Sequence, residues 1–197
     1  MSSRESADVR RQSLIAATAS TLAQKGLAGA SVRSICARAN VSPGLLTHYF
    51  PGVDALIAET YRATTEQVAA TLAAAVDQAG PEPLDRVTAF LTASFRPPIA
   101  EPELLATWLA FWSAAKTDPA IAAIHSQSYR AYREQLEQLL RGCGMPDAHA
   151  GLAAIALTAL VDGLWLELSL DPSTFSYDQA SAIVVRWLEA LLERPSL

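Results

Sequence analysis

Cysteine is scarce in this chain: two in 197 residues, Cys36 and Cys143, too far apart to form a Cys-x-x-Cys pair. That usage suits a reducing cytoplasm and offers no paired-cysteine redox or zinc motif. Histidine is nearly as rare. His48, His125 and His149 are scattered and have no obvious Ser, Cys or Glu partner nearby. The nine glycines fall mostly at helix ends and turns and never form a phosphate-binding loop. An enzyme reading therefore has little to stand on, and nothing calls for a cofactor or a metal. Runs of β-branched residues are few too, whereas Ala and Leu abound, which points to helix throughout. With 51% hydrophobic and 18% charged residues the composition is globular. The opening stretch MSSRESADVRRQS carries no apolar h-region, so it does not read as a signal peptide and the expected location is cytoplasmic.

Long uncharged apolar runs are also missing. The nearest to one is LAAIALTALVDGLWLELSL, from Leu152 to Leu170, long enough to span a bilayer but carrying Asp162 and Glu167. A carboxylate at the bilayer centre costs roughly 2.5–3.5 kcal/mol on insertion scales. No basic flank sets an orientation either, so the run reads as a helix buried on most sides within a helical bundle.

Positive charge is short overall, at a net −5, which by itself disfavours a nucleic-acid partner. Its distribution says otherwise. Residues 1–52 hold six basic side chains (Arg4, Arg10, Arg11, Lys25, Arg33, Arg38) against Glu5 and Asp8, a net +4 that leaves −9 for the remainder. A basic head on an acidic body can set positive potential against phosphate while the body stays soluble.

Within that head the spacing predicts a first helix over residues 7–25, with Leu14, Ala17, Thr18, Thr21 and Leu22 on one face and Gly26 as a left-handed cap. Ser31 is placed to cap a second helix, VRSICARA, which turns Ile35 and Ala39 inward and Arg33 and Arg38 outward. Asn40 then occupies a turn that wants a left-handed backbone. Ser42 is placed to cap a third helix, with Pro43 at its first position, where a missing N–H costs nothing. Three helices, the last two joined by a tight turn, make the pattern of a helix-turn-helix. The third helix, within VSPGLLTHYF, lacks the bulk of a packing helix. Gly44 clears space for a close backbone approach to DNA, Thr47 can touch a base edge, His48 and Tyr49 can reach phosphates, and Phe50 turns back to the core.

The segment ASVRSICARANVSPGLLTHYFPGVDALIAETYR closely resembles the DNA-binding region of the TetR family of transcriptional regulators. The likeness lies in the N-cap Ser, the spaced Ile and Ala of the second helix, the Val-Ser turn and the Tyr-Phe close. It departs at Asn40, where the family usually has Gly, and at Val53, where it commonly has a phosphate-touching Lys. The second departure predicts weaker, less salt-sensitive binding, because each phosphate contact adds about 0.9 to the log–log salt slope. The residues expected to contact DNA are Ser31, Arg33, Ser42, Pro43, Gly44, Leu45, Thr47, His48 and Tyr49.

The rest of the chain divides at GPEP (80–83), RPPIAEPE (96–103), Asp118-Pro119, Gly142, Pro146-Asp147 and a capping box at Ser176-Tyr177-Asp178-Gln179. The expectation is an all-α chain of about nine helices without strands, split into a DNA-binding domain (1–52) and an effector-binding and dimerisation domain (53–197). The last two helices are apolar on more than one side, so a second copy of the pair is expected to cover them, giving a homodimer that meets a pseudo-palindromic operator.

LATWLAFWSAAKTDPAIAAIHSQSYRAYREQL and LTALVDGLWLELSL resemble the C-terminal domain of the betaine-regulator (BetI-like) branch. That resemblance implies a small-molecule pocket whose effector is choline or a close relative. A quaternary ammonium wants aromatic faces and a carboxylate, each cation–π contact giving about 0.5–2 kcal/mol. Trp108, Phe111 and Trp112 recur at i, i+3, i+4 on one helix, and Asp162 and Trp165 at i, i+3 on another. Core packing for the tryptophans, with Asp162 bonded to an Arg across the dimer, explains the same residues without a ligand. Tyr129, Arg130, Tyr132 and Arg133 could instead serve an anionic effector or form a solvated face. The candidate effector residues are Trp108, Phe111, Trp112, Tyr129, Asp162 and Trp165. The expected function is a ligand-responsive, dimeric DNA-binding repressor. A helical ligand carrier would explain the body but not the basic head, and an activator of the same fold stays open.

Overall fold

The computed structural model describes residues 3–193, and among them there are nine α-helices and no strand. They are α1 (Ser3–Gly29), α2 (Val32–Ala39), α3 (Pro43–Tyr49), α4 (Val53–Gln78), α5 (Pro83–Thr92), α6 (Pro102–Ala115), α7 (Pro119–Gly142), α8 (Asp147–Leu170) and α9 (Tyr177–Glu193), with one 3₁₀ turn over Ala93–Phe95. The helix breaks read from Pro and Gly stand where the sequence sets them. Asp118 accepts from the backbone N–H groups of Ala120 and Ile121 at the start of α7. Ser176 and Gln179 close a reciprocal capping box before α9.

Two compact units emerge. One holds the described residues up to Glu66 together with Glu103–Ser126, and the other holds Gln67–Pro102 and the described residues from Gln127 on. Helices α4 and α7 each begin in the first unit and end in the second.

In the first unit α1 packs on α2 through Leu14, Ile15 and Ala17 against Ile35 and Cys36, with Leu46, Phe50 and Leu56 completing the core. Thr18 and Thr21 are as buried as their apolar neighbours. Each hydroxyl donates to the carbonyl one turn back, Leu14 and Ala17, so no polar group is stranded. Gly26 does adopt a left-handed φ of 62°, but the chain makes a further helical turn to Gly29 beyond that kink rather than entering a loop.

In the second unit α5 and α8 both pack on α9. The long apolar helix is less enclosed than its sequence suggests. Ala150, Ala153, Leu157, Val161, Trp165 and Leu168 form a buried stripe, whereas Leu152, Ile155, Leu166 and Leu170 face outward. By length and composition alone α8 could cross a membrane. Its carboxylates and its buried stripe fit a bundle helix instead.

Candidate functional site

The helix-turn-helix is built by local rules. Ser31 and Ser34 form a reciprocal capping box at the start of α2. Asn40 ends that helix at φ 53°, ψ 48°, the left-handed conformation the turn demands. Pro43 occupies the first turn of α3. Ser42 sits at the N-cap position, but its side chain makes no capping hydrogen bond. Its extended backbone and the proline already set the helix start without help from the hydroxyl.

On α3, Leu46 is fully buried and Phe50 nearly so, which anchors the helix by one face. Tyr49 and Leu45 are half-buried, while Ser42, Pro43, Gly44, Thr47 and His48 are exposed. The Thr47 hydroxyl donates back to the Gly44 carbonyl at 3.1 Å, and the His48 and Tyr49 rings meet edge to face at 5.0 Å. A Cβ at Gly44 would meet nothing closer than the Ser42 hydroxyl oxygen at 4.0 Å. The fold itself therefore gives no reason for glycine there.

Arg33 and Ser31 are exposed at the start of α2. Arg38 is exposed as well, and its guanidinium donates to Ser20 and Gln24 of α1, which commits two of its five N–H donors inside the chain. Sequence spacing does not disclose a further group. Glu59 accepts from Arg11 at 2.5 Å and from Arg62, and Arg11 lies over the Phe50 ring at 5.3 Å. Burial pushes the Glu59 carboxyl up, yet the two guanidiniums outweigh it and hold the carboxyl below its usual range. This triad ties α1 and α4 to the closing residue of α3.

The effector candidates divide between the units. In the first, Trp108 and Phe111 are buried around Tyr61. The Tyr61 ring stacks on Phe111 at 4.3 Å and meets Trp108 edge-on at 5.8 Å, and its hydroxyl shares a 2.9 Å hydrogen bond with Nδ1 of His125. Trp112, on the same helix, is half-buried.

In the second unit Tyr129 donates to Asp162 at 3.2 Å, within one chain. Burial raises the Asp162 carboxyl to about 6, against the Tyr129 hydrogen bond and the Arg133 charge, which lower it. Arg133 in turn lies over the Tyr129 ring at 5.9 Å. Trp165 is buried one turn beyond Asp162, and its indole N–H donates to the Ser94 carbonyl at 2.9 Å. Among the described residues no group of three or more His, Cys, Asp and Glu side chains could hold a metal ion. Cys36 is a buried core residue whose thiol pKa is pushed up by that burial.

Residues 14–60 match the family model of bacterial regulatory proteins of the tetR family, and residues 83–193 match the BetI-type transcriptional repressor C-terminal model. The chain belongs to the TetR family. Its curated relatives include the HTH-type transcriptional regulator BetI of Paraburkholderia phymatum, 33% identical over 94% of each chain. The BetI of Vibrio vulnificus is 31% identical over 93% of each. Among solved structures, a transcriptional regulator from Pseudomonas aeruginosa PAO1 superposes with a TM-score of 0.87 at 44% identity, covering 95% of this chain and 92% of that one. A regulator from Saccharomonospora viridis, solved in complex with choline, shares the fold at a TM-score of 0.79 and 18% identity, covering 95% and 97%. This TetR-family chain is accordingly a DNA-binding transcriptional regulator of the repressor type and not an enzyme.

Proposed function

We propose that this regulator works as a homodimer in the cytoplasm and leaves its operator when a small organic cation binds in the second unit. The observation that carries the effector class is Asp162, a carboxylate in an apolar helix with a Tyr129 hydroxyl on it and Trp165 one turn away. A buried carboxylate is costly unless a cation or donors meet it, and aromatic faces beside it favour an ammonium group. The choline carried by the Saccharomonospora viridis structure belongs to the same chemical class.

The dimer reading rests on α8 and α9, whose outward apolar side chains include Leu152, Ile155, Leu170 and Trp187, the last 57% exposed. Two copies of such a face bury each other about a two-fold axis. In each copy the exposed edge of α3, from Ser42 to His48, would enter the major groove, with Gly44 at the closest approach and Thr47 at the bases. His48, Tyr49, Ser31 and Arg33 would take phosphates. Because α4 runs from the unit of α3 into the unit of Asp162, ligand occupancy would act on DNA through that helix; such coupling typically amounts to about 1–3 kcal/mol.

The test is a tryptophan-fluorescence titration of the whole protein with choline, repeated on Asp162→Asn. Saturable quenching in the wild type that disappears in the variant supports the cation site. A flat response from the wild type removes choline-type cations as the effector and leaves the DNA-binding function standing.

A further inference from the structure

The α3 helix is seven residues long, under two turns, and a helix that short cannot hold its own direction. Its deepest holds on the fold are Leu46, fully buried, and Phe50, which closes the helix and is 4% exposed. Over the Phe50 ring, 5.3 Å from its centroid, lies the guanidinium of Arg11 from α1. That guanidinium is itself fixed. It donates at 2.5 Å to one oxygen of Glu59, near the start of α4. The other Glu59 oxygen takes Arg62, one turn further along α4, which holds the carboxylate in place. One planar group therefore links α1, α4 and the residue that closes α3, all within the first unit.

Stability is a poor reason for this arrangement. The Arg11 and Arg62 side chains are 38% and 49% exposed, and ion pairs that wet contribute little to folding. A planar fork on a carboxylate, laid over a ring, fixes an angle instead. Base-edge hydrogen bonds demand distance and direction, and they carry the sequence information that phosphate contacts lack. Arg11 also counts among the six basic residues of the head, yet Glu59 balances its charge before any phosphate arrives. We infer that Arg11, seated by Glu59, is a positioning residue for operator recognition: through Phe50 it fixes the pose of α3, and so sets selectivity among DNA sequences rather than attraction to DNA in general. This rests on the reading above that α3 enters the major groove.

The experiment is fluorescence anisotropy on the full chain with two labelled duplexes. One is selected by the wild-type protein from a random-sequence pool, and the other is a scrambled duplex of the same length and composition. Glu59→Gln separates the explanations by sign. Removing a negative charge beside two arginines should, by electrostatics alone, tighten binding to both duplexes. If Arg11 positions α3, the selected duplex should instead bind about tenfold more weakly, the size of one lost base contact, while the scrambled one binds as before or tighter. Arg11→Lys keeps the charge but not the planar fork, so it should lose the same selectivity at an unchanged salt slope. In either variant the melting temperature should fall by no more than about 4 °C, since an ion pair this exposed adds little to a fold of this size. Tighter binding of both duplexes by Glu59→Gln would overturn the inference while sparing the α3 reading. So would wild-type selectivity in Arg11→Lys, or an equal loss on both duplexes with a larger fall in melting temperature. The double substitution Thr47→Ala with His48→Ala, on the exposed edge of α3, tests that reading itself and should weaken the selected duplex. Unchanged affinity there would overturn the inference together with the groove reading.

Discussion

The hydroxyl of Tyr61 and Nδ1 of His125 stand 2.9 Å apart, a hydrogen bond between α4 and α7 within the first unit. It closes an aromatic group in which Phe111 stacks on the fully buried Tyr61 ring and Trp108 meets it edge-on. Tyr61→Phe keeps the ring and removes only the oxygen. The expected cost is about 0.5–1.5 kcal/mol, read as a lower denaturant midpoint at unchanged m-value. Phe111→Ala, which empties a buried site, should cost about 3–5 kcal/mol. If Tyr61→Phe leaves the midpoint where it was, the His125 contact contributes nothing to the fold.

Asp162 sets a pH-dependent penalty. Its carboxyl titrates at about 6 in the folded protein, against about 3.9 for an unfolded aspartate. The folded state therefore holds the proton more tightly. The stability linked to this group is fully present below about pH 4 and is lost as pH rises through about 6. Above that point the ionised carboxylate costs on the order of 3 kcal/mol, about two pK units. Asp162→Asn should then stabilise the ligand-free protein at about pH 7.5 by about 1–3 kcal/mol, with little gain at about pH 4. Chemical denaturation at the two pH values decides it. A variant less stable at both would mean that Tyr129 and Arg133 already satisfy the charge. In the same window, cation affinity should fall as pH drops below about 6, because the protonated carboxyl no longer attracts the ligand.

The outward face of α8 and α9 is open to a direct test. Ile155→Glu and Trp187→Glu place charges where Ile155 and Trp187 are now 54% and 57% exposed. In a single subunit these substitutions would be near neutral, as surface changes usually are. In a dimer they would bury unpaired carboxylates, and a monomer with unchanged helix content is expected by sedimentation. Operator affinity should fall with it, since two half-sites would no longer be bound by one linked pair. Intact dimers in both variants would locate the subunit contact elsewhere.

Much of the architecture could be read from residues that carry local instructions. Pro43, Pro119 and Pro83 fix helix starts, Asn40 a left-handed turn, and Ser31 and Ser176 true caps. Each of these acts within a few residues, so sequence neighbours suffice to see it. Ser42 looks identical in that respect but makes no capping bond, because proline and backbone geometry already define the start of α3. Groups joined over long separations were not legible. Nothing in the order of residues pairs Arg11 with Glu59, Tyr61 with His125, or Tyr129 with Asp162. Hydropathy likewise could not say which side of α8 is enclosed by its own chain, since both sides are apolar and only the fold distinguishes them.

Gly44 separates a structural role from a functional one. Its position in α3 has room for a side chain, since a Cβ there would lie 4.0 Å from its nearest neighbour, and its backbone is ordinary helix. Alanine is the better helix former by up to about 1 kcal/mol, so Gly44→Ala should leave the melting temperature unchanged or raise it slightly. If glycine is there to let the backbone approach DNA, the same substitution should weaken operator binding by about tenfold, or about 1.4 kcal/mol. The salt dependence should stay the same, because no phosphate-contacting cation has been removed. Electrophoretic mobility shifts across a salt series, beside a thermal melt, measure both. Wild-type affinity in a stabilised variant would show that α3 does not bring Gly44 to the DNA surface. A loss of affinity together with a loss of stability would return the glycine to a folding role.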